Sequence, residues 1–230
     1  MDQIARNLTA LRERIARVAE AAGRDPAGIE VLAVTKTRTP QEVEAVLASG
    51  IALVGENRIQ EAEAKKPQIR ATARWHLIGH LQTNKAARAV ELFDLIQSVD
   101  SERLAEAVDR HAGALDRTLE ILVQVNTSGA ATQSGVAPEA VRSLVERCAA
   151  LPHLRVRGLM TIGALSADPE PVRRSFRRLR ELRDELAGAG IAGVTMHWLS
   201  MGMSGDFELA VAEGANLLRL GSAIFGPRPV

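Results

Sequence analysis

Short apolar runs rich in β-branched residues alternate with amphipathic helical segments along the whole chain. The first run, 29–35, is apolar on both faces, which is typical of a strand buried in a parallel sheet. Strands are predicted at 29–35, 51–54, 74–78, 95–99, 119–125, 154–159, 193–198 and 217–220. Helices are predicted at 3–22, 39–47, 57–66, 83–90, 101–111, 138–150, 169–186 and 206–213.

This alternation strongly limits the fold. Strands that alternate with helices form right-handed βαβ units and a parallel sheet. Eight such units in 230 residues predict an α/β fold of one domain, 1–230: a single (β/α)8 TIM-type barrel with an extra N-terminal helix. An open doubly wound sheet is the competing fold, and it is disfavoured because no Gly-x-Gly-x-x-Gly motif follows the first strand.

Composition excludes several classes of protein. Lysine and arginine total 29 against 28 aspartates and glutamates, so a protein that coats nucleic acid is not expected. The single cysteine, Cys148, excludes a disulfide framework and a zinc site built from cysteines, and it fits a reducing compartment. No apolar run reaches the roughly 20 residues that cross a bilayer, and the N-terminus lacks a signal-peptide pattern. We therefore expect a cytoplasmic protein without a metal site and without nucleic-acid or membrane partners.

A lysine follows the first predicted strand directly. In a (β/α)8 barrel the functional site lies at the C-terminal ends of the strands, which is where Lys36 stands. Apolar strand residues behind the amine would remove water from it, lower its pKa and favour attack on a carbonyl carbon. A solvated lysine at the rim and a phosphate-binding lysine are the alternatives that the sequence leaves open.

Glycine and serine gather after the last two predicted strands. Ser200 and Gly202 follow the seventh strand, and Gly221 and Ser222 follow the eighth. Barrels often bind a phosphate group at this place through backbone N–H groups, which glycine lets a ligand approach closely. With Lys36 on the other side, the pattern predicts a ligand that carries an aldehyde and a phosphate. Pyridoxal phosphate fits this description, and so does the substrate of a sugar-phosphate aldolase.

Seven segments of the chain resemble one known family. They are 33–37, 55–57, 75–85, 124–129, 158–163, 199–204 and 219–226. Together they resemble the YggS/PROSC family, the pyridoxal phosphate homeostasis proteins, over about residues 1 to 228. The resemblance implies a barrel like the N-terminal domain of alanine racemase, with pyridoxal phosphate as its cofactor. It also implies a monomer with little or no racemase activity.

The same resemblance implies roles for individual residues. Lys36 would form a Schiff base with the cofactor, and Arg219 would face its pyridine nitrogen. The other implied cofactor-binding residues are Asn57, which would line the cofactor, and Ser200, Gly221 and Ser222, which would hold its phosphate. Met201, at a strand end, is expected to pack against the ring.

Three positions depart from the family pattern. Arg38 and Gln133 stand where many members have lysine, and Arg58 stands where an aromatic residue is common. Gln133 removes a second amine that could handle the cofactor. The departures call into question any exchange step that uses those side chains, whereas Lys36 is retained.

Two features favour a carrier over an enzyme. An arginine that donates to the pyridine nitrogen disfavours protonation of the ring and weakens carbanion stabilisation. Alanine racemase also uses a tyrosine base from a separate domain, and this sequence has no tyrosine, although His80 is a conceivable base. We expect a non-enzymatic pyridoxal phosphate protein that buffers or delivers the cofactor, with apo forms of pyridoxal phosphate enzymes as recipients. The alternatives are an amino-acid racemase of the alanine racemase type and a Schiff-base aldolase.

Overall fold

The computed structural model of the protein describes residues 2–227. The strands are β1 (Glu30–Val34), β2 (Leu53–Glu56), β3 (Arg74–Leu77), β4 (Leu95–Val99), β5 (Leu119–Gln124), β6 (Leu154–Met160), β7 (Val194–Ser200) and β8 (Leu217–Leu220). The helices are α1 (Asp2–Ala21), α2 (Pro40–Ala48), α3 (Ile59–Lys65), α4 (Ala86–Leu92), α5 (Glu102–Ala114), α6 (Val141–Ala149), α7 (Pro169–Gly188), α8 (Phe207–Ala212) and α9 (Ser222–Phe225). None of these helices combines the length and the apolar character that crossing a membrane requires.

All the strands belong to one closed parallel barrel, arranged in chain order. Strand β1 pairs with β2, with Leu32 opposite Leu53, and it also pairs with β8, with Glu30 opposite Leu217. The closure confirms the predicted (β/α)8 barrel, and α1 is the predicted extra helix at its N-terminus. Because every strand runs in the same direction, the carboxyl ends form one rim, and Lys36 lies there with the loops after β7 and β8.

Apolar side chains pack in two layers. The inner layer consists of strand residues that fill the barrel: Leu32, Leu53, Leu95, Leu122, Met160, Trp198 and Leu217. The outer layer lies between the strands and the surrounding helices, and it includes the fully buried Phe93, Phe176 and Phe207. Burial on both faces of the sheet explains why the strands read as continuous apolar runs in the sequence.

Two helix starts are set by local capping. Helix α2 begins with a capping box in which Thr39 accepts from the Glu42 N–H and Glu42 accepts from the Thr39 N–H, and Pro40 takes the first helical position. Helix α5 begins at Ser101, whose hydroxyl oxygen accepts from the Leu104 N–H. Both starts confirm the sequence prediction, because capping depends on residues only a few positions apart.

Three helical segments differ from the prediction. The segment 138–150 begins as a tight turn, Pro138–Ala140, so that α6 starts at Val141. The segment 83–90 begins as a tight turn, Thr83–Lys85, so that α4 starts at Ala86. Helix α9 was not predicted, because its four residues are too few to show a helical period. Helix α1 packs against α8 and α9, and Asn7 Nδ2 donates to the Ile224 carbonyl at 2.8 Å. The N-terminal helix therefore supports the segment that follows the last strand.

Candidate functional site

A cavity of about 350 Å³ opens at the carboxyl rim of the barrel. Its polar lining comes from Lys36, Asn57, Ser204, Arg219, Gly221 and Ser222. Its apolar walls are Val34, Ile78, Met160, Ile162 and Met203. The volume and the mixture of apolar walls with a few polar groups are typical of a site for a small molecule.

Lys36 lies in a tight turn directly after β1. The Arg38 N–H donates to the Thr35 carbonyl at 3.0 Å, which closes the turn around Lys36 and Thr37. Lys36 is half-buried and lines the cavity, so its amine reaches the interior of the site from the β1 side. The structure thus places the sequence-predicted nucleophile at the predicted rim.

Asn57 follows β2, is among the residues that line the cavity, and has an unsatisfied acceptor. Its Oδ1 atom is buried and has no hydrogen-bond partner among the described residues. A buried carbonyl oxygen without a donor is costly, because its hydration has been lost without replacement. A ligand that carries a donor group would satisfy this atom.

Arg219 projects from β8 and is buried, yet it borders the cavity. Its Nη1 donates to Ser200 Oγ at 2.8 Å and its Nη2 donates to the Thr161 carbonyl at 2.7 Å. Burial lowers the pKa of Arg219 to about 10, while the negative charge of Asp206 acts in the opposite direction. The guanidinium therefore keeps its proton at neutral pH and can only donate hydrogen bonds.

Ser200 and Met201 lie outside the cavity, although the sequence placed them at the cofactor. The Ser200 hydroxyl is fully buried, donates to Gln97 Oε1 at 2.7 Å and accepts from Arg219. Met201 is fully buried in the outer apolar layer. Strand β7 runs two residues beyond the predicted end and includes Ser200, which points into the barrel beneath Arg219, where its hydrogen-bonding capacity is already used.

A buried polar chain continues from Ser200 across the barrel. Gln97 Nε2 donates to His76 Nδ1 at 3.0 Å, so the chain joins β3, β4, β7 and β8. Burial lowers the pKa of His76 to about 3, which keeps the imidazole neutral. His76 lies within the predicted strand 74–78, but its link to Arg219 through Gln97 and Ser200 was not predicted.

Ser204 is the site residue that sequence reasoning missed. It lies in the loop after β7, and its Oγ accepts from the Gly221 N–H at 3.2 Å and from the Ala223 N–H at 3.1 Å. Two backbone donors at the start of α9 therefore converge on one oxygen atom. The only sequence signal was its position in the polar run 199–204, which does not show which serine faces the cavity.

The side chains that depart from the family pattern are engaged outside the cavity. The buried Arg38 pairs with Glu42, and its guanidinium lies 5.1 Å from the centre of the Phe225 ring. Gln133 Nε2 donates to the Gly163 carbonyl at 3.0 Å. Arg58 lines a neighbouring open groove instead of the cavity.

His80 also lies away from the cavity lining. Its Nδ1 is 3.7 Å from an Asp100 carboxylate oxygen, and its side chain is 55% exposed. The structure does not bring it together with Lys36 and Arg219, which line the cavity.

Comparison with known proteins gives the family. The family described as alanine racemase, N-terminal domain, matches residues 6–229. The chain is 40% identical to the pyridoxal phosphate homeostasis protein of Pseudomonas aeruginosa, over 99% of this chain and 97% of that protein. It is also 40% identical to the protein of that name from Aquifex aeolicus, over 96% of each. The chain belongs to this family, in its group of pyridoxal phosphate homeostasis proteins.

Solved structures of the family share the whole architecture. PipY of Synechococcus elongatus, solved with pyridoxal phosphate bound, is 37% identical and has a TM-score of 0.85, covering 97% of this chain and all (100%) of PipY. A protein from Bifidobacterium adolescentis is 38% identical with a TM-score of 0.93, over 97% of this chain and 95% of that one. An alanine racemase of Clostridium difficile is 17% identical with a TM-score of 0.76, and this chain covers 58% of it. That last likeness shows the fold alone.

Proposed function

We propose that this protein binds pyridoxal 5'-phosphate and buffers or delivers it, holding the cofactor as a Schiff base on Lys36. The observation that carries the proposal is one cavity with a primary amine on the β1 side and converging backbone donors after β8. The cofactor supplies an aldehyde carbon for the amine and a phosphate for the donors. Relatives named for pyridoxal phosphate homeostasis, and a relative solved with the cofactor bound, support the proposal.

The donor set fits the chemical groups of the cofactor. The N–H groups of Gly221 and Ala223 donate to Ser204 Oγ in this structure, and a phosphate that replaced this oxygen as their acceptor would leave the Ser204 and Ser222 hydroxyls able to donate to it. The unpartnered Asn57 Oδ1 is suited to a ligand donor. The apolar walls are suited to an aromatic ring. In this assignment Ser204 takes the phosphate-binding role that the sequence gave to Ser200.

Arg219 favours a carrier over an enzyme. If the cofactor's pyridine nitrogen lay against this protonated guanidinium, Arg219 would donate to it and disfavour its protonation, which would weaken the ring as an electron sink. The sequence also lacks the tyrosine base of the alanine racemase type. We therefore infer that the protein is not an enzyme and that it holds the cofactor without turning over amino acids.

Borohydride reduction followed by peptide mapping tests this function. The cofactor adduct is expected on Lys36, it is expected to disappear in Lys36→Ala, and it is expected to persist in Lys85→Ala, which removes an exposed lysine outside the cavity. An adduct on another lysine, or none at all, would overturn the proposal. Rapid deuterium exchange at the α-carbon of alanine would instead support a racemase.

Transfer to an apo enzyme tests the delivery role. We propose that apo forms of pyridoxal phosphate enzymes are the recipients and that the carrier is a cytoplasmic monomer; the single cysteine fits a reducing compartment. Transfer is compared in a mixed solution and across a dialysis membrane that passes only the free cofactor. Faster transfer in the mixed solution indicates delivery by contact, and equal rates indicate buffering. Sedimentation of the loaded protein checks the monomer.

A further inference from the structure

The turn that carries Lys36 is tied to helix α3 on both sides of the lysine. On the N-terminal side, Lys65 Nζ donates to the Thr35 carbonyl at 2.5 Å. On the C-terminal side, the Thr37 N–H donates to Glu61 Oε2 at 2.9 Å. Glu61 and Lys65 are four residues apart on one helix, with 3.7 Å between their charged atoms, so a single helix face holds both ends of the turn.

The tied turn has a strained backbone. Thr37 has φ of +63°, in the left-handed region, although it is a β-branched residue. Such residues avoid this region because Cβ crowds the carbonyl oxygen that follows, so glycine or asparagine usually takes this place in a turn. The hydrogen bond from the Thr37 N–H to Glu61 holds this conformation against relaxation.

A buried ion pair fixes the anchor on the other side. The Glu56 side chain is fully buried at the end of β2, and its Oε1 lies 2.5 Å from Lys65 Nζ. The same oxygen accepts from the Thr35 hydroxyl at 2.7 Å. Lys65 is also buried, so its position is set by Glu56 and cannot drift into solvent. Strand β2 and helix α3 thus hold the backbone of Thr35 rigidly.

We propose that Glu61 and Lys65 are positioning residues that aim the Lys36 amine at the ligand aldehyde. This inference rests on the proposed function, in which Lys36 forms the Schiff base. Neither residue lines the ligand cavity, so both act through the backbone of the turn. If the turn relaxes, the cavity still binds the ring and the phosphate. Only the approach of the amine to the carbonyl carbon is lost.

The test separates imine formation from ligand binding. Pyridoxal phosphate reports both steps, whereas pyridoxine phosphate has the same ring and phosphate with an alcohol in place of the aldehyde. Glu61→Ala is expected to slow formation of the borohydride-trapped Lys36 adduct by about tenfold to a hundredfold, because a small misplacement of a reacting group has effects of this order. Its affinity for pyridoxine phosphate is expected to change by less than about twofold, since the phosphate and ring contacts remain.

Two further variants control the test. Glu61→Gln keeps an oxygen that accepts from the Thr37 N–H, so it is expected to restore most of the rate. Glu63→Ala removes another carboxylate from α3, one that pairs with Arg88 on the surface, and it is expected to match the wild-type protein. Lys65→Met leaves the buried Glu56 with only the Thr35 hydroxyl as its partner among the described residues, so it is expected to lower the thermal unfolding midpoint as well as to slow adduct formation.

The outcomes are distinguishable from a failure of the proposed function. If wild-type protein forms no adduct on Lys36, the proposed function itself fails. If wild-type protein forms the adduct and Glu61→Ala forms it as fast as Glu63→Ala does, only the positioning role is overturned. Equal losses of adduct formation and of pyridoxine phosphate affinity in Glu61→Ala would also overturn it, because they indicate general damage to the cavity.

Discussion

Ser200 and Ser204 are four positions apart, and their hydroxyls have different surroundings. Ser200 ends a strand and points inward, where it bonds to Gln97 and Arg219. Ser204 lies in the following loop, where the N–H groups at the start of α9 converge on it. A sequence pattern can place serines at a barrel rim, but the direction of each side chain depends on the strand end and on partners distant in the chain.

At the scale of single residues, we predict that Ser204→Ala weakens binding of pyridoxine phosphate by about tenfold, because a hydrogen bond to the charged phosphate is lost. Ser143→Ala, at an exposed position of α6, provides the matched control and is expected to bind as the wild-type protein does. Isothermal titration measures both affinities. Unchanged binding in Ser204→Ala would show that the phosphate is held without this hydroxyl.

At the scale of elements, the polar chain from His76 through Gln97 and Ser200 to Arg219 links four strands inside the barrel. Its members come from β3, β4, β7 and β8, and each occupies an inward position of its strand. The chain that fixes Arg219 includes a buried histidine that stays neutral, because burial lowers the pKa of His76 to about 3. The polar chain that holds Arg219 at the cavity therefore also makes the stability of the fold depend on pH through His76.

His76 is expected to make stability fall as the pH is lowered. Its ordinary pKa is 6.5 and its pKa in the folded protein is about 3, so between these values the unfolded chain binds a proton that the folded protein does not. The contribution of the neutral His76 to the free energy of unfolding is present in full above pH 6.5. It is lost at about 1.4 kcal/mol per pH unit as the pH falls towards 3.

Urea unfolding at several pH values between 4 and 7 measures this slope. His76→Gln has no titrating group at this position, so the slope of its unfolding free energy against pH is expected to be smaller by the equivalent of about one proton. His197→Gln, at an exposed position of β7, is the control and is expected to keep the wild-type slope. A slope that His76→Gln leaves unchanged would assign the pH dependence to other groups.

At the scale of the whole molecule, the only cysteine reports on opening of the outer layer. Cys148 is fully buried on α6, and burial raises the pKa of its thiol to about 12. A thiol that is both buried and protonated does not react, because the thiolate is the nucleophile. We predict that the native protein resists a thiol reagent at pH 8 and reacts on unfolding in urea. The control Ser143→Cys, on the exposed face of the same helix, should add one fast-reacting thiol. If Cys148 and the introduced cysteine were labelled equally fast, the result would show that α6 opens readily.

The barrel, its N-terminal helix and the rim where Lys36 lies could all be predicted from the amino-acid sequence. These properties follow from local signals, since the apolar period, the caps at Thr39 and Ser101 and the parallel order of strands each depend on residues close in the chain. Gly221 could be placed near Lys36 for the same reason, because all the strands end at one rim, whereas Asn57 and Arg219 were assigned to the cofactor through the family resemblance.

Which polar atoms face the cavity and which support it depends on long-range packing. The ties of the Lys36 turn come from β2 and α3, and Ser200 meets a glutamine 103 positions away in the chain. Such contacts depend on the register between strands and on the direction of each side chain within a few ångströms. No local period carries that information, because it arises when distant segments pack together.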